Sequence, residues 1–353
     1  MELHFLPTEE QAMLRDSVRR WAAGRDVRAA GDQQVDWAYG AEQGWLMAGL
    51  PEEAGGLGGS DADSAVIAEE LGRALVRTGF VESGMVAAQL LLAIAPERAE
   101  EIAMGGVQPV LAHDEPGMRA CYLNVTTRAE NVEGGWKLSG RKSAIVGTPT
   151  SLVVSARMPD AAVGLFEISA EDAPLRSYET FDGRTGGELT LEATPAELLL
   201  VGKPAESALL EAIDRALVLE SAEALGAMEA AFDMTRDYLM TRKQYGQLIG
   251  EFQALRHRIA DMFIELEQAR SILVIGLGGL AGSNPQERAR LAAATRARVA
   301  QAGQFVCGQA IQLHGGIGVT DEYPVGHFFK RITAFAARHG GEARQVERFA
   351  ELS

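Results

Sequence analysis

Hydrophobic residues recur at helical spacing through the first hundred positions of the chain. Thr8 followed by Gln11 predicts a capping box, and the apolar spacing after it predicts a helix as far as Gly24. A second capping signal, Ser60 with Asp63, precedes another helical stripe. This part of the chain is therefore predicted to be helical.

The pattern changes between Val107 and Lys203. Short runs rich in β-branched and aromatic residues are separated there by Gly-Gly, Pro and Asp-Gly signals, and Gly134-Gly135 is typical of a hairpin turn. The predicted strands are Cys121–Arg128, Trp136–Leu138, Ser151–Arg157 and Val163–Ile168. We expect a β domain here.

Helical periodicity returns after Pro204. It predicts four long helices: one with a stripe from Leu217 to Leu239, one from Leu255 to Leu273, one starting at Asn284-Pro285, and one over about Tyr323 to Arg338. The predicted fold is α+β and mainly α. It consists of an N-terminal helical domain (1–106), a middle β-barrel or β-sandwich domain (107–203) and a C-terminal four-helix bundle (204–353).

Composition narrows the class of partner. The 353 residues carry a formal net charge of −16, which argues against nucleic acid or an anionic membrane as a partner. No apolar run approaches the roughly 20 residues of a membrane span, and Met1–His4 lead into no signal segment, so we expect a soluble, cytoplasmic protein. The six histidines show no metal-ligand spacing, so we expect no metal site.

Two segments are candidates for holding an anionic ligand. The first, Arg242 to Gly246, would suit the end of any helix, because basic residues there favour the helix dipole. It would equally place Arg242 against an anion, with Tyr245 and Phe252 as flat surfaces for an aromatic ring.

The second segment runs from Gln312 to Gly318. Gly315, Gly316 and Gly318 are more glycines than a helix end requires. They permit close approach of the backbone and offer N–H groups as an anion cradle. A tight turn between two helices would explain them equally well.

Together, "TRKQYGQLIGEFQALRHRIADM" (241–262) and "AIQLHGGIGVTDEYPVGHFFKR" (310–331) resemble motifs of the acyl-CoA dehydrogenase family. Weaker matches are "PEEAGGLGGS", "EELGRAL", "GGWKLSGRKSAIV" and "YETFDGR". The chain looks most like the small-subunit type that pairs with a larger partner, as in pimeloyl-CoA or steroid side-chain dehydrogenases.

The resemblance implies FAD, bound between the β domain and the bundle and completed by a neighbouring protomer. An acyl-CoA would lose its α-proton to a carboxylate and its β-hydride to the flavin, and electrons would pass to an electron-transferring flavoprotein. The positions implied for the adenosine half of FAD are Arg242 at the pyrophosphate, Gln244 and Tyr245 beside it, and Gln312, Gly315 and Gly316 of the adjoining protomer.

The chain departs from the family at the catalytic base. Where the resemblance places the usual glutamate, the chain has His339, and a second family location falls on Ala216 and Leu217. A neutral imidazole at His339 would suit proton abstraction, and Glu342 lies three residues further on. Glu220, on the first bundle helix, is expected to be solvated or structural.

The β domain departs at the flavin ring. The family's Trp-Ile-Thr reads Ala144-Ile145-Val146, so Ile145 and Val146 would lie at the ring without an aromatic stack or a hydroxyl donor. The stretch from Asp114 to Cys121 also departs from the family's flavin-contacting loop. The residues implied for the adenosine half of FAD match the family pattern better than those implied for the flavin half.

Three functions follow. The first is an acyl-CoA dehydrogenase active as a homo-oligomer, with His339 or Glu342 as its base. The second is a non-catalytic or half-site subunit that lends its FAD-binding segments to a larger partner chain. The third is a flavoenzyme with different chemistry, such as a relative of acyl-CoA oxidase or nitroalkane oxidase.

Overall fold

The structure, a computed structural model, describes residues 7–28, 31–173 and 175–353, so the prediction about Met1–His4 lies outside it. These residues group into two compact units. The first takes in the described residues of Met1–Ala30, Ala65–Val76 and Leu217–Ser353, and the second those of Gly31–Ser64 and Arg77–Ala216. The division into three domains stays a prediction.

The helices and strands follow the order helices, strands, helices. The described α-helices are α1 (Glu9–Ala22), α2 (Gln33–Glu42), α3 (Asp61–Arg73), α4 (Ala88–Ile94), α5 (Ala99–Ala103), α6 (Lys203–Thr241), α7 (Gln253–Leu280), α8 (Pro285–His314), α9 (Val325–Ala337) and α10 (Gly341–Glu351), with a π-helix at Phe80–Ala87. The described strands are β1 (Pro109–Ala112), β2 (Arg128–Val132), β3 (Gly135–Val146), β4 (Ser151–Arg157), β5 (Val163–Ser169), β6 (Arg176–Glu179), β7 (Thr185–Val201), β8 (Lys243–Gln244) and β9 (Gln247–Leu248).

The capping signals predicted from the sequence are confirmed. Thr8 Oγ1 accepts the Gln11 N–H at 3.1 Å, and Gln11 Oε1 accepts the Thr8 N–H at 3.2 Å. Before α3, the Ser60 N–H donates to Asp63 Oδ2 at 2.8 Å. The Asn284 side-chain oxygen caps α8 by accepting the N–H groups of Gln286 and Glu287, and Pro285 follows Asn284 at the first helical position.

Helices α3 and α6 cross closely in the first unit. A Cβ added to Gly72 would lie 1.8 Å from the Glu223 carbonyl oxygen, and one added to Gly226 would lie 1.7 Å from the Glu69 carbonyl oxygen. Only glycine fits at either position, so the two backbones meet here without side chains between them.

The strands of the second unit close into a barrel. β4 pairs with β5 along one edge and with β1 and then β2 along the other, and β2–β3–β7–β5 completes the ring. The predicted hairpin at Gly134-Gly135 is confirmed, because Val132 pairs with Gly135, and β4 has the predicted bounds. A continuous hydrophobic core that includes Leu138, Ile145 and Phe166 fills this unit.

The predicted strand at Cys121–Arg128 is wrong except for its last residue, where β2 begins. Side chains replace the strand ladder in this segment. The backbone N–H groups of Thr126 and Thr127 donate to the Glu115 carboxylate at 2.7 and 2.9 Å, and the Arg157 guanidinium donates to the Val125 carbonyl at 2.8 Å. The β-branched residues therefore mark a braced loop.

The C-terminal region has one helix more than the sequence predicts. The predicted fourth helix is α9, which starts at Val325, and α10 follows it after Gly340. The buried residues of α10 are Gln345 and Arg348, so the buried side of this short helix is polar. None of the helices in the described ranges is both long and apolar enough to cross a bilayer.

Candidate cofactor-binding site

The end of α6 presents the first predicted segment to solvent. The Arg242 N–H closes the helix on the Tyr238 carbonyl at 2.9 Å, and β8 and β9 then form a short hairpin. Tyr245 and Gly246 turn this hairpin with φ of 52° and 81°. Arg242 and Gln244 are exposed, and the Tyr245 side chain is 92% exposed.

Phe252 supports the hairpin from its base. Its ring meets the Tyr245 ring edge to face, with 6.2 Å between centroids. The phenol ring of Tyr245 thus contacts Phe252 while most of its surface is open to solvent. The segment offers a cation and a flat aromatic surface within four residues of each other.

The end of α8 presents the second predicted segment. Gln312, Gly315 and Gly316 are exposed, and a Cβ added to either glycine would meet no atom within 4 Å. The Gly315 N–H donates back to the Gln312 carbonyl, so this amide closes the helix. The loop therefore offers open space beside its backbone, although the Gly315 amide is already used within the chain.

A ring stack joins the two segments within one chain. His314 lies between Tyr238, at 4.5 Å between ring centroids, and Tyr323, at 4.9 Å. Tyr238 is one turn before Arg242, and His314 directly precedes Gly315. The exposed cation and the glycine loop consequently lie at the same end of the first unit.

His314 is uncharged in this stack. Its Nδ1–H donates to the Ala310 carbonyl at 2.7 Å. Burial lowers the pKa of its imidazole, and the Ala310 carbonyl opposes that effect only in part. The stack is therefore an aromatic contact without a formal charge.

The predicted base positions lie apart from each other. His339, in the turn between α9 and α10 with φ of 53°, points at α6, where its Nε2–H donates to Glu220 Oε1 at 3.2 Å. Its Nδ1 is buried and has no hydrogen-bond partner within the described ranges. Glu342 lines a cleft of about 210 Å³ between α8 and α10 with Gln301 and Phe349.

Glu220 is a buried anion at the centre of a cationic cluster. Arg296 Nη1 lies 2.7 Å from Oε2, and Arg338 Nη2 lies 3.1 Å from Oε1. Burial alone would raise the pKa of Glu220, but Arg338, His339 and Arg296 together hold it well below the ordinary value. Glu220, which the sequence analysis expects to be solvated or structural, is therefore a structural residue.

The positions predicted at the flavin ring are buried. Ile145 belongs to the core of the second unit, Val146 is 6% exposed, and they pair with Gly187 and Gly186 of β7. Both are aliphatic, so they offer neither an aromatic stack nor a hydrogen-bond donor from their side chains. Ala144, where the resemblance places a tryptophan, is exposed.

The partners of Glu115 were not predicted from the sequence. Lys142 Nζ lies 2.8 Å from Glu115 Oε1, and Lys142 also donates to the Ser155 hydroxyl at 3.1 Å. A lysine within the alternating pattern of a strand was the available signal. Within the described ranges, no three His, Cys, Asp or Glu side chains are grouped as metal ligands.

The chain thus combines an order of helices, a closed barrel and further helices with an exposed arginine and a glycine loop in the first unit. Two family models match: the C-terminal domain of acyl-CoA dehydrogenases over residues 208–352 and the N-terminal domain over residues 8–102. The chain belongs to the acyl-CoA dehydrogenase family.

Individual relatives agree with this assignment. The chain is 30% identical over 339 residues to acyl-CoA dehydrogenase IpdE2 of Mycobacterium tuberculosis, covering 92% of this chain and 91% of that protein. Among solved structures, the Tcur3481-Tcur3483 steroid ACAD is 28% identical with a TM-score of 0.87, covering 98% and 97%. The ChsE4-ChsE5 complex of M. tuberculosis, 22% identical with a TM-score of 0.87 over 99% and 98%, shares the fold.

Proposed function

We propose that this chain is one subunit of an acyl-CoA dehydrogenase built from two kinds of chain. It binds the adenosine diphosphate half of FAD, and a larger homologous subunit provides the base that removes the α-proton of the acyl-CoA. Electrons then leave to an electron-transferring flavoprotein. The contact between His339 and Glu220 carries this proposal.

A general base has to reach the proton that it abstracts, at about 2.6–3.2 Å between heavy atoms. The His339 imidazole donates its Nε2–H to Glu220, and its Nδ1 is buried. Glu220 is ionised but only 2% exposed, so its carboxylate is also out of reach. Both groups at this position are part of the chain's internal packing.

The residues of the first unit fit the nucleotide half of FAD. Arg242 is an exposed cation for a diphosphate, and the open space beside Gly316 admits phosphate close to the backbone. Tyr245 adds an exposed aromatic surface for the adenine. Bound FAD would supply the acceptor for the β-hydride.

The residues predicted at the isoalloxazine fit less well, because Ile145 and Val146 are buried in the second unit. This asymmetry favours a flavin ring that depends on another chain. The similar proteins Tcur3481-Tcur3483 and ChsE4-ChsE5 are each named for two different chains, and an assembly of this kind would supply the missing contacts.

Flavin stoichiometry tests the proposal. The chain is purified alone and after co-expression with a larger acyl-CoA dehydrogenase chain from the same organism, and FAD per chain is measured by absorbance. We expect the lone chain to retain little FAD and the complex to hold one FAD for each pair of unlike chains. Acyl-CoA should bleach the flavin of the complex only.

A lone chain that holds one FAD per protomer and bleaches with an acyl-CoA would overturn the proposal. It would favour the homo-oligomeric dehydrogenase instead. Hydrogen peroxide formed in air during turnover would point to the oxidase chemistry.

A further inference from the structure

The glycine loop after α8 is closed by an aromatic contact between its two ends. His314 is the last residue of α8 and Tyr323 comes shortly before α9, so these two residues flank the run 315–322. Their rings lie 4.9 Å apart between centroids. The path of the loop therefore depends on where the His314 ring is held.

Tyr238 attaches both of these rings to α6. Its ring stacks on His314 with 4.5 Å between centroids and 29° between planes, and it meets Tyr323 edge to face at 6.4 Å. The Tyr238 carbonyl accepts the Arg242 N–H, so the stacking tyrosine and the exposed arginine share one turn of helix. The three rings thus fix the loop relative to Arg242.

The loop backbone also folds back over His314. A Cβ added to Gly318 would lie 2.7 Å from the Ile311 carbonyl oxygen and 3.0 Å from the His314 Cβ atom. At the far end of the loop, Arg28 Nη1 donates to the Glu322 carbonyl at 3.0 Å. A displaced His314 side chain would consequently displace the loop that packs on it.

The hydrogen bonds of His314 suit the neutral imidazole. Its Nδ1–H donates to Ala310, and its Nε2 is buried without a hydrogen-bond partner among the residues that the structure describes. Nε2 of the neutral ring carries a lone pair and no proton. A proton added there would place a buried charge between two phenol rings with no acceptor from these residues, which is unfavourable.

The groups that face the His314 ring are uncharged in acid and neutral solution. Tyr238 faces it from α6, Tyr323 from the segment before α9, and the Ala310 carbonyl from α8. Burial and the neighbouring Tyr238 raise the pKa of the Tyr323 phenol. Burial lowers the pKa of His314, and the Ala310 carbonyl opposes this effect. His314 is therefore the group of this stack that gains charge as pH falls.

We propose that His314 is a positioning residue for the bound nucleotide, because its neutral ring between Tyr238 and Tyr323 holds the glycine loop at the Arg242 end of α6. This role rests on the proposed function, since the ligand is the adenosine diphosphate half of FAD. A proton on the imidazole opens the stack and releases the loop. FAD consequently binds more weakly as the ring becomes charged.

Titration of FAD into the assembled protein, freed of its flavin, tests this role at pH 8 and pH 5. FAD is a suitable probe because its diphosphate keeps the same charge at both values. The dissociation constant of the native protein should rise at least about threefold at pH 5. His314→Phe keeps a ring in the stack, so it should bind within about twofold of the native protein at pH 8 and lose most of the rise.

Two further variants separate the ring from the charge. His314→Ala removes both ring contacts and should raise the dissociation constant about tenfold at both pH values. His257→Phe is the matched control, because His257 is an exposed histidine on α7. It should keep the native rise at pH 5.

Amide hydrogen exchange of the full chain without nucleotide measures the loop directly. The N–H groups of Gly315, Thr320 and Tyr323 are hydrogen-bonded within the loop. At matched pH they should exchange faster in His314→Ala than in the native chain, and at the native rate in His314→Phe. This comparison also shows whether either variant has simply failed to fold, because the exchange of α6 should stay unchanged.

Either of two results would overturn the role of His314. One is unchanged exchange of the loop in His314→Ala, and the other is an equal loss of FAD affinity at pH 5 in the native protein and His314→Phe. Failure of the proposed function would appear elsewhere, as one FAD per protomer in the lone chain.

Discussion

Lys142 and Glu115 form a buried ion pair in the second unit, with 2.8 Å between Nζ and Oε1. Burial lowers the pKa of Lys142 to about 8, although Glu115 opposes this effect. Burial would raise the pKa of Glu115, but Lys142 and the hydroxyls of Thr126 and Thr127 lower it to about 2. Both groups are therefore charged at neutral pH and brace the loop before β2.

Glu115→Gln should destabilise the protein by about 3–5 kcal/mol at pH 7, because it leaves the Lys142 charge buried without its anion. Urea unfolding followed by circular dichroism measures this. Glu188→Gln is the control, since Glu188 pairs with the exposed Arg141 and Arg176 and should cost at most about 1 kcal/mol. Equal effects of the two substitutions would contradict the role given to the buried pair.

The ion pair of Lys142 and Glu115 also predicts a loss of stability at acidic pH. The folded-state pKa of Glu115 is about 2 and its ordinary value is 4.5, so its stabilising contribution is complete above pH 4.5 and is lost as pH falls towards 2. The unfolding free energy of the native chain should fall in this window more steeply than that of Glu115→Gln. Parallel curves for the two proteins would show that other carboxylates dominate.

Arg242→Ala should weaken binding of FAD or ADP by about 10–100-fold, as expected for loss of a charge-assisted contact to a diphosphate. Calorimetric titration of the assembled protein gives the affinity. Arg236→Ala removes a cation from the same helix, but Arg236 is already paired with Asp233 and Asp237. If both variants bind nucleotide alike, the charge at Arg242 is not a ligand.

His339→Gln should change kcat/KM of the assembled enzyme by less than about tenfold, because the imidazole is turned towards Glu220. Loss of a general base would cost about 10²–10⁴-fold. The assay follows flavin bleaching by an acyl-CoA, with Glu342→Gln measured beside it. A loss of a hundredfold or more in a variant of unchanged stability would identify that residue as the base.

His314→Phe should preserve the ring stack with Tyr238 while removing the titratable nitrogens. The folded-state pKa of His314 is lowered, so the unfolded chain binds the extra proton, and this residue destabilises the native fold as pH falls below about 6.5. Unfolding free energies at pH 5 and 8 should differ less in the variant. An unchanged difference would show that His314 does not set this dependence.

Much of the architecture is predictable from the chain. Capping pairs such as Thr8 with Gln11, and the short apolar run within Ser151–Arg157, are local signals whose physics acts within a few residues. The strand predicted at Cys121–Arg128 failed in part because the Glu115 carboxylate, 11 and 12 residues before Thr126 and Thr127, accepts the backbone N–H groups of these two residues. The apolar pattern within the segment carries no sign of this side-chain partner.

The candidate site also contains features that the sequence predicts and features that it does not. The exposure of Arg242 and Tyr245 follows from the helix end that the sequence predicts at Gly246. The role of His339 does not, because its neighbour Glu220 lies 119 positions away on another helix. A chain position can be aligned with a catalytic residue without revealing where its side chain points.

The ring stack of Tyr238 on His314 also constrains the number of FAD molecules that an assembly can bind. It keeps Arg242 and the glycine loop at the same end of the first unit. A chain whose Arg242 binds the nucleotide of a neighbouring chain therefore also presents its own glycine loop to that neighbour. Two identical neighbouring chains would thus bind two equivalent nucleotides or none. Only an unlike neighbour breaks that equality, and one flavin for every two chains would report its presence.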